Sequence, residues 1–300
     1  MKTRRIAPFV VLLAGAALVL AITNPAGAAT FTWDGSQSGA PSDSSGTWSG
    51  GTNWYYGGSD HPRANANDAA FGAGTSGAYT VTLGASVSPT GIFFNTQGYT
   101  IAPDINNQYL LTVGSDGITA SASATINAPI GLSAAQAWTV ASSQTLTVNS
   151  GINGAGGLTA GGGALALNGA LSFAGSLVVN SGTVTLAGNN SYGDIHNVAG
   201  ENGNHSAGNP TIRNGGMLSV SSVGANLPLV PSYCPYQDNV LLQLTAGTLL
   251  YTGTGTSDST LLYTSVGNAT VDVASAGANF AFNWTVQGGS LYSFVNRIRG

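Results

Sequence analysis

Leu146-Thr147-Val148-Asn149-Ser150-Gly151 returns downstream as Leu177-Val178-Val179-Asn180-Ser181-Gly182. Each copy opens on a short strand-like run and then enters Asn-Ser-Gly. Alternation with a period of two marks a strand with one buried face. Asn, Ser and Gly accept the turn conformations that end a strand. A second unit, Gly followed by alternating aliphatic residues, occurs at Gly163–Leu167, Gly182–Leu186, Gly216–Val220 and Gly247–Tyr251. A third opens on an aromatic ring followed by Thr and Val or Ile, at Tyr79, Tyr99, Trp138 and Trp284. Recurrence every 20 to 35 residues or so is the window in which internal repetition signals a solenoid.

A single strand of this kind cannot bury its apolar face alone. Stacked on its copy about 4.8 Å away, it pairs its backbone and adds a rung to a continuous core. Gly at the corner permits φ > 0 and lets neighbouring coils approach. The reading is therefore all-β: a right-handed parallel β-helix or related β-solenoid, with about 20 residues per coil. A β-sandwich is the alternative, because it too has short strands at regular spacing. Repetition of sequence, beyond repetition of strand length, favours the solenoid. Helix signals are nearly absent downstream of residue 28, since few Glu, Lys or Arg could populate a solvent-facing helix.

Composition narrows the function classes. Charged residues make up 6% of the chain, against roughly 25% in ordinary globular proteins. Lys2, Arg4 and Arg5 precede a short apolar run from Phe9 to Ile22 and a small-residue site at Ala26-Gly27-Ala28. That is the anatomy of a secretory signal peptide over residues 1–28, and the run is too short to span a bilayer. Without it, the basic groups are Arg63, Arg213, Arg297 and Arg299, against 11 acidic ones. A phosphate backbone is bound through clustered Lys and Arg, so nucleic acid is not expected as a partner. Nor is a membrane span expected in the mature chain. Cys234 is the only cysteine and is read as a bystander thiol, so disulfides do not supply the stability.

The organisation expected is a signal peptide over 1–28, an aromatic N-terminal cap over 29–75, first coils over 76–155, and repeats over 156–300. Trp33, Trp48, Trp54-Tyr55-Tyr56 and Phe71 form the aromatic segment. It is read as rings buried on the first coil, with a carbohydrate-stacking platform as the alternative.

Several segments carry a family resemblance. Trp33-Asp34-Gly35, Gly46-Thr47-Trp48, Asn53-Trp54, Asp68 to Gly72 and Gly91-Ile92-Phe93-Phe94-Asn95 are followed by Trp138-Thr139-Val140 and Gly154 to Thr159. Then come Gly182-Thr183-Val184-Thr185-Leu186-Ala187-Gly188-Asn189-Asn190-Ser191-Tyr192 and Ile212 to Val220. This succession resembles the bacterial autotransporter-associated β-strand repeat proteins. Their repeat runs as a Gly-Thr-Leu-Thr-Leu-like strand, an Asn-Asn-Ser-Tyr-like turn, and a Gly-Gly-x-Leu strand. The resemblance implies a passenger-like, secreted or cell-surface β-helical protein, without catalytic residues in the repeat. Two departures stand out: a polar insertion at residues 194–210, and a chain that stops at Arg299-Gly300 with no barrel or anchor, as a fragment would.

The sequence offers little chemistry. Glycoside hydrolysis needs two carboxylates flanking one bond. Glu201 is the only Glu, and Asp34, Asp104, Asp116, Asp238 and Asp272 are scattered singly, as turn residues are. Asp194, His196, Glu201 and His205 form the one local titratable cluster; it is read as a solvated loop rather than a metal site. No catalytic, cofactor-binding or metal-binding residue is therefore assigned, and no cofactor. The function expected is an exported structural or surface protein, adhesion to extracellular glycans or proteins being one role it would serve. The alternative is a carbohydrate-binding or polysaccharide-degrading β-helix.

Overall fold

The structure is a computed structural model of the 300-residue chain. It describes residues 27–63, 65–190, 210–227, 242–254, 263–266, 268–275, 278 and 295–298. The first 26 residues, Cys234, Asp238, Trp284, Arg299 and nearly all of the 194–210 insertion lie outside them. So does the Asp194, His196, Glu201 and His205 cluster.

The described chain is a β-solenoid. Its first wall stacks Thr30–Trp33, Asp68–Phe71, Gly91–Phe94, Gly117–Ala120 and the first half of Gln136–Val148, all in parallel. It continues through Leu158–Leu167, Leu177–Val179, Thr211–Arg213, Leu242–Thr245 and Tyr263–Val266. A second wall runs beside it from Gly46–Thr47 through Tyr79–Thr82, Tyr99–Ala102 and Ala124–Ile126, again in parallel. It extends through Thr183–Leu186, Met217–Val220, Thr248–Tyr251 and Thr270–Val273 to Val295–Ile298. A shorter third wall stacks Leu111–Val113, Ile130–Leu132, Ile152–Gly154 and Leu171–Phe173. Parallel pairing throughout the walls excludes the β-sandwich, whose sheets are antiparallel.

Coil length follows from the register. Trp138 lies on Ile118, Ala160 on Trp138 and Val179 on Ala160, so these coils take 19 to 22 residues. The next two steps, Val179 to Ile212 and Ile212 to Leu244, take 33 and 32. Leu177–Val179 and Thr211–Arg213, which lie before and after the 194–210 insertion, thus pair directly.

The core is a set of columns, one side chain per coil. In the second wall Val81, Ile101, Ile126, Val148, Leu167, Leu186 and Val220 lie in successive register, each no more than 1% exposed. Burying a side chain of this size contributes roughly 1.5–3 kcal/mol. Gly182 shows why the corner needs glycine: its φ is +69°, and a Cβ there would overlap the Gly162 carbonyl oxygen. Val223–Asn226, the one helical turn among the described residues, is capped by Ser222, whose hydroxyl accepts from the Ala225 N–H.

At the N-terminal end the pattern changes. Trp54–Tyr56 pairs antiparallel with Thr30–Trp33, and Ser59–His61 pairs antiparallel with Trp54–Tyr56. This hairpin covers the edge of the first coil, which would otherwise present unpaired backbone groups.

Candidate functional site

The aromatic residues converge beneath that hairpin. Trp33, Trp48, Trp54 and Phe71 are each 1% exposed or less. Phe71 is the centre: its ring lies 5.2 Å from Trp48, 5.5 Å from Trp54, 6.0 Å from Trp33, 5.5 Å from Phe94 and 5.3 Å from Tyr99. The Trp33 and Trp54 indole N–H groups donate to the Ser44 and Trp48 carbonyls, each at 2.8 Å. A stacking platform on Trp54 is ruled out by this burial, because no ligand can reach the ring. The exposed ring is Tyr56, 46% accessible, stacked on Phe31 at 4.8 Å with His61 edge-on at 6.4 Å.

Arg63 lies beside this cluster. Its guanidinium carbon is 5.4 Å from the Trp48 ring centre and 5.3 Å from that of Trp54, and it donates to the Asn67 carbonyl. Burial lowers its pKa to about 10, with the charge of Asp68 opposing the shift. Asp68 opens the second rung of the first wall and is nine-tenths buried. Burial raises its pKa, the charge of Asp116 adds to the rise, and Arg63, the Gly91 N–H and Thr30 oppose it. Sequence spacing does not show that Arg63, Asp68 and Asp116 share a neighbourhood; coil register brings them together.

Asp34, Asp43 and Asp104 are occupied in holding loops. Burial disfavours ionised Asp34, but the Ser42 and Ser36 hydroxyls and the Ser38 N–H outweigh it and hold its carboxyl below the usual range. Asp43 accepts from Ala73 N at 2.9 Å, Thr75 N at 2.7 Å and the Tyr99 hydroxyl at 2.7 Å. Burial and this bond to Asp43 raise the pKa of Tyr99. Asp104 accepts from the N–H groups of Asn106, Gln108 and Tyr109 at 2.8 to 3.1 Å, a turn contact in which those bonds lower its pKa against desolvation. Asp116 is exposed and Asp272 is buried.

Two asparagines tie coils together: Asn190, from the Asn-Asn-Ser-Tyr-like turn, and Asn226, which the sequence reading did not single out. Asn190 accepts from Leu171 N and donates to the Asn226 carbonyl, both at 2.9 Å. Asn226, 1% exposed, accepts from the Ser221 and Ser222 N–H groups and donates to the Gly188 carbonyl, each at 3.0 Å. The bonds of Asn190 and that of Asn226 to Gly188 act through register across a coil, which leaves no signal in linear spacing.

Among the described residues, no group of three His, Cys, Asp or Glu is placed to hold a metal ion, and no helix is long and apolar enough to cross a membrane. A hollow of about 380 Å³ lies at the corner between the third and first walls. Its lining, including Ala134, Gly156, Leu158, Gly175 and Ser176, contains no titratable side chain. No protein-family model, curated protein or solved structure matched the chain.

Proposed function

We propose that this chain is an exported structural β-solenoid that serves as a rigid surface spacer, with adhesion as its activity. The observation that carries this reading is the continuous stack: one ladder pairs in parallel from Thr30–Trp33 to Tyr263–Val266 over one aliphatic core. Strands about 4.8 Å apart make this a rod roughly 40 Å long, closed at one end by the aromatic hairpin. The signal-like segment at 1–28 and the repeat resemblance at Gly182 to Tyr192 support export and passenger-like kinship.

Surface labelling of intact source cells, with N-terminal sequencing of the labelled protein, tests the reading. Labelled protein beginning at Ala29 is expected. Protein retaining Met1 and reached only after lysis would refute it. A polysaccharide turnover lost on changing one or two residues would refute the non-enzymatic part.

One observation favours the carbohydrate-binding alternative. The Tyr56 ring, braced by Phe31, is exposed enough to stack on a sugar. On that reading, saturable glycan binding is lost in Tyr56→Ala and kept in Tyr109→Ala.

A further inference from the structure

From Tyr79–Thr82 to Thr183–Leu186, the outward face of the second wall is an ordered, uncharged array. Thr80, Thr100, Thr125, Thr147, Ala166 and Thr185 follow one another in register on successive coils, and all are at least partly exposed. Two residues further along the strand, a second column contains Asn127, Asn149 and Asn168. The amide of Asn149 donates to Asn127 at 2.8 Å, and that of Asn168 donates to Asn149 at 2.8 Å. From Tyr79 to Leu186, none of the strands of this wall contains a charged residue.

We infer that this face binds crystalline ice. Parallel strands set the columns about 4.8 Å apart along the stack, and alternate residues roughly 6.6 Å apart along each strand. Water oxygens on a prism face of ice repeat along one direction at close to the coil spacing. Threonine suits such a surface: its branched Cβ restricts χ1, so hydroxyl and methyl hold nearly fixed positions. The asparagine amides are fixed by bonding to one another. Stacking and side-chain ladders of this kind also suppress the twist that would carry the columns out of line. A face already in its bound geometry loses little conformational entropy on binding. Lack of charge matters equally, because an ionised side chain orients water around itself and breaks the lattice. Glycan stacking instead calls for an aromatic ring, and this face has none among its outward residues. The inference is independent of the adhesive reading.

The test is partition of the purified protein into a slowly growing ice hemisphere, with inhibition of ice recrystallisation as a second readout. The wild type is expected to enter the ice and to restrain grain growth. Thr125→Lys and Thr147→Lys place a charge on the array without touching the core and should reduce both readouts at least tenfold. Thr139→Lys, on the exposed face of the first wall, should leave both unchanged. Thermal melting of each variant confirms that the fold is retained. Exclusion of the wild type from ice would overturn the inference. So would equal activity of Thr125→Lys, Thr147→Lys and wild type, or equal loss in Thr139→Lys.

Discussion

Gly182→Ala and Gly215→Ala separate two roles of glycine in a solenoid. Both positions are left-handed, at φ +69° and +77°. A Cβ at Gly215 would meet nothing within 4 Å. Its replacement therefore costs only the left-handed strain of an L-residue, about 1–2 kcal/mol. At Gly182 the same strain is joined by overlap with the carbonyl oxygens of Gly162 and Gly163. Those are backbone atoms of the neighbouring coil and cannot rotate aside, so an overpacking cost of roughly 1–3 kcal/mol adds to the strain. Two backbone-linked bonds lie at the same corner: Gly162 N to Ser181 Oγ at 3.0 Å and Met217 N to the Gly182 carbonyl at 2.8 Å. Moving the coils apart weakens both. The expected loss is about 1–2 kcal/mol for Gly215→Ala and about 2–5 kcal/mol for Gly182→Ala. Asn tolerates the left-handed region, so Gly215→Asn should recover most of the loss and Gly182→Asn should not. Solenoid stability is local, so the assay is hydrogen exchange at the amides of Thr183–Leu186 and Met217–Val220, with denaturant unfolding alongside. Equal effects of the two Ala variants, or rescue by Gly182→Asn, would refute the close-approach argument.

Phe71→Ala should destabilise the N-terminal cap by about 3–5 kcal/mol, the range for deleting a buried ring, seen as proteolysis between the hairpin and the second coil. Phe93→Ala, on the partly exposed side of the adjacent strand, should cost much less under the same protease. Asn226→Ala leaves the Ser221 and Ser222 N–H groups without their acceptor and should cost about 1–3 kcal/mol, with faster exchange at those amides. Asp34 predicts an acid limb. Its folded pKa lies below the unfolded value, so its contribution is complete above about pH 4 and is lost as pH falls through the folded pKa. Asp68 acts in the opposite sense: its folded pKa is raised, so its ionised-form penalty lifts as pH falls through the folded pKa and is gone below the unfolded value. Melting measured from pH 6 to pH 2 should therefore show a shallower acid loss in Asp34→Asn than in wild type. An unchanged slope would show that the Ser36–Ser42 loop does not depend on the Asp34 carboxylate.

Much of the architecture is legible in the sequence alone. Period-two alternation bounded by Gly and Asn specifies short strands and corners, and their recurrence specifies stacking. The Gly-x-aliphatic unit is a true structural repeat: the strands after Gly163, Gly182, Gly216 and Gly247 align in register in the second wall. The other two units are not. Leu146–Gly151 begins in the second wall, whereas Leu177–Gly182 begins in the first. Tyr79 and Tyr99 pair in the second wall, while Trp138 lies in the first. Local alternation decides that a residue run is a strand and which side is apolar. It carries no information about which wall that strand joins, because every wall of a solenoid offers the same pleated backbone and the same aliphatic interior.

That distinction also explains what was legible about the site. Aromatic clustering near residue 50 pointed to a cap, since rings that dense usually bury one another. Which ring stays accessible depended on the antiparallel hairpin, which turns Trp54 inward and leaves Tyr56 out. The Thr80-to-Thr185 array was present in the sequence only as unconnected threonines on separate strands. Coil register, set by variable loop lengths between walls, places them in one column. The sequence by itself determined that the strands stack, because their alternating faces can be buried in no cheaper way. Only the tertiary structure decided which residues become neighbours, because stacking joins residues 19 to 38 positions apart by backbone pairing that no local pattern encodes.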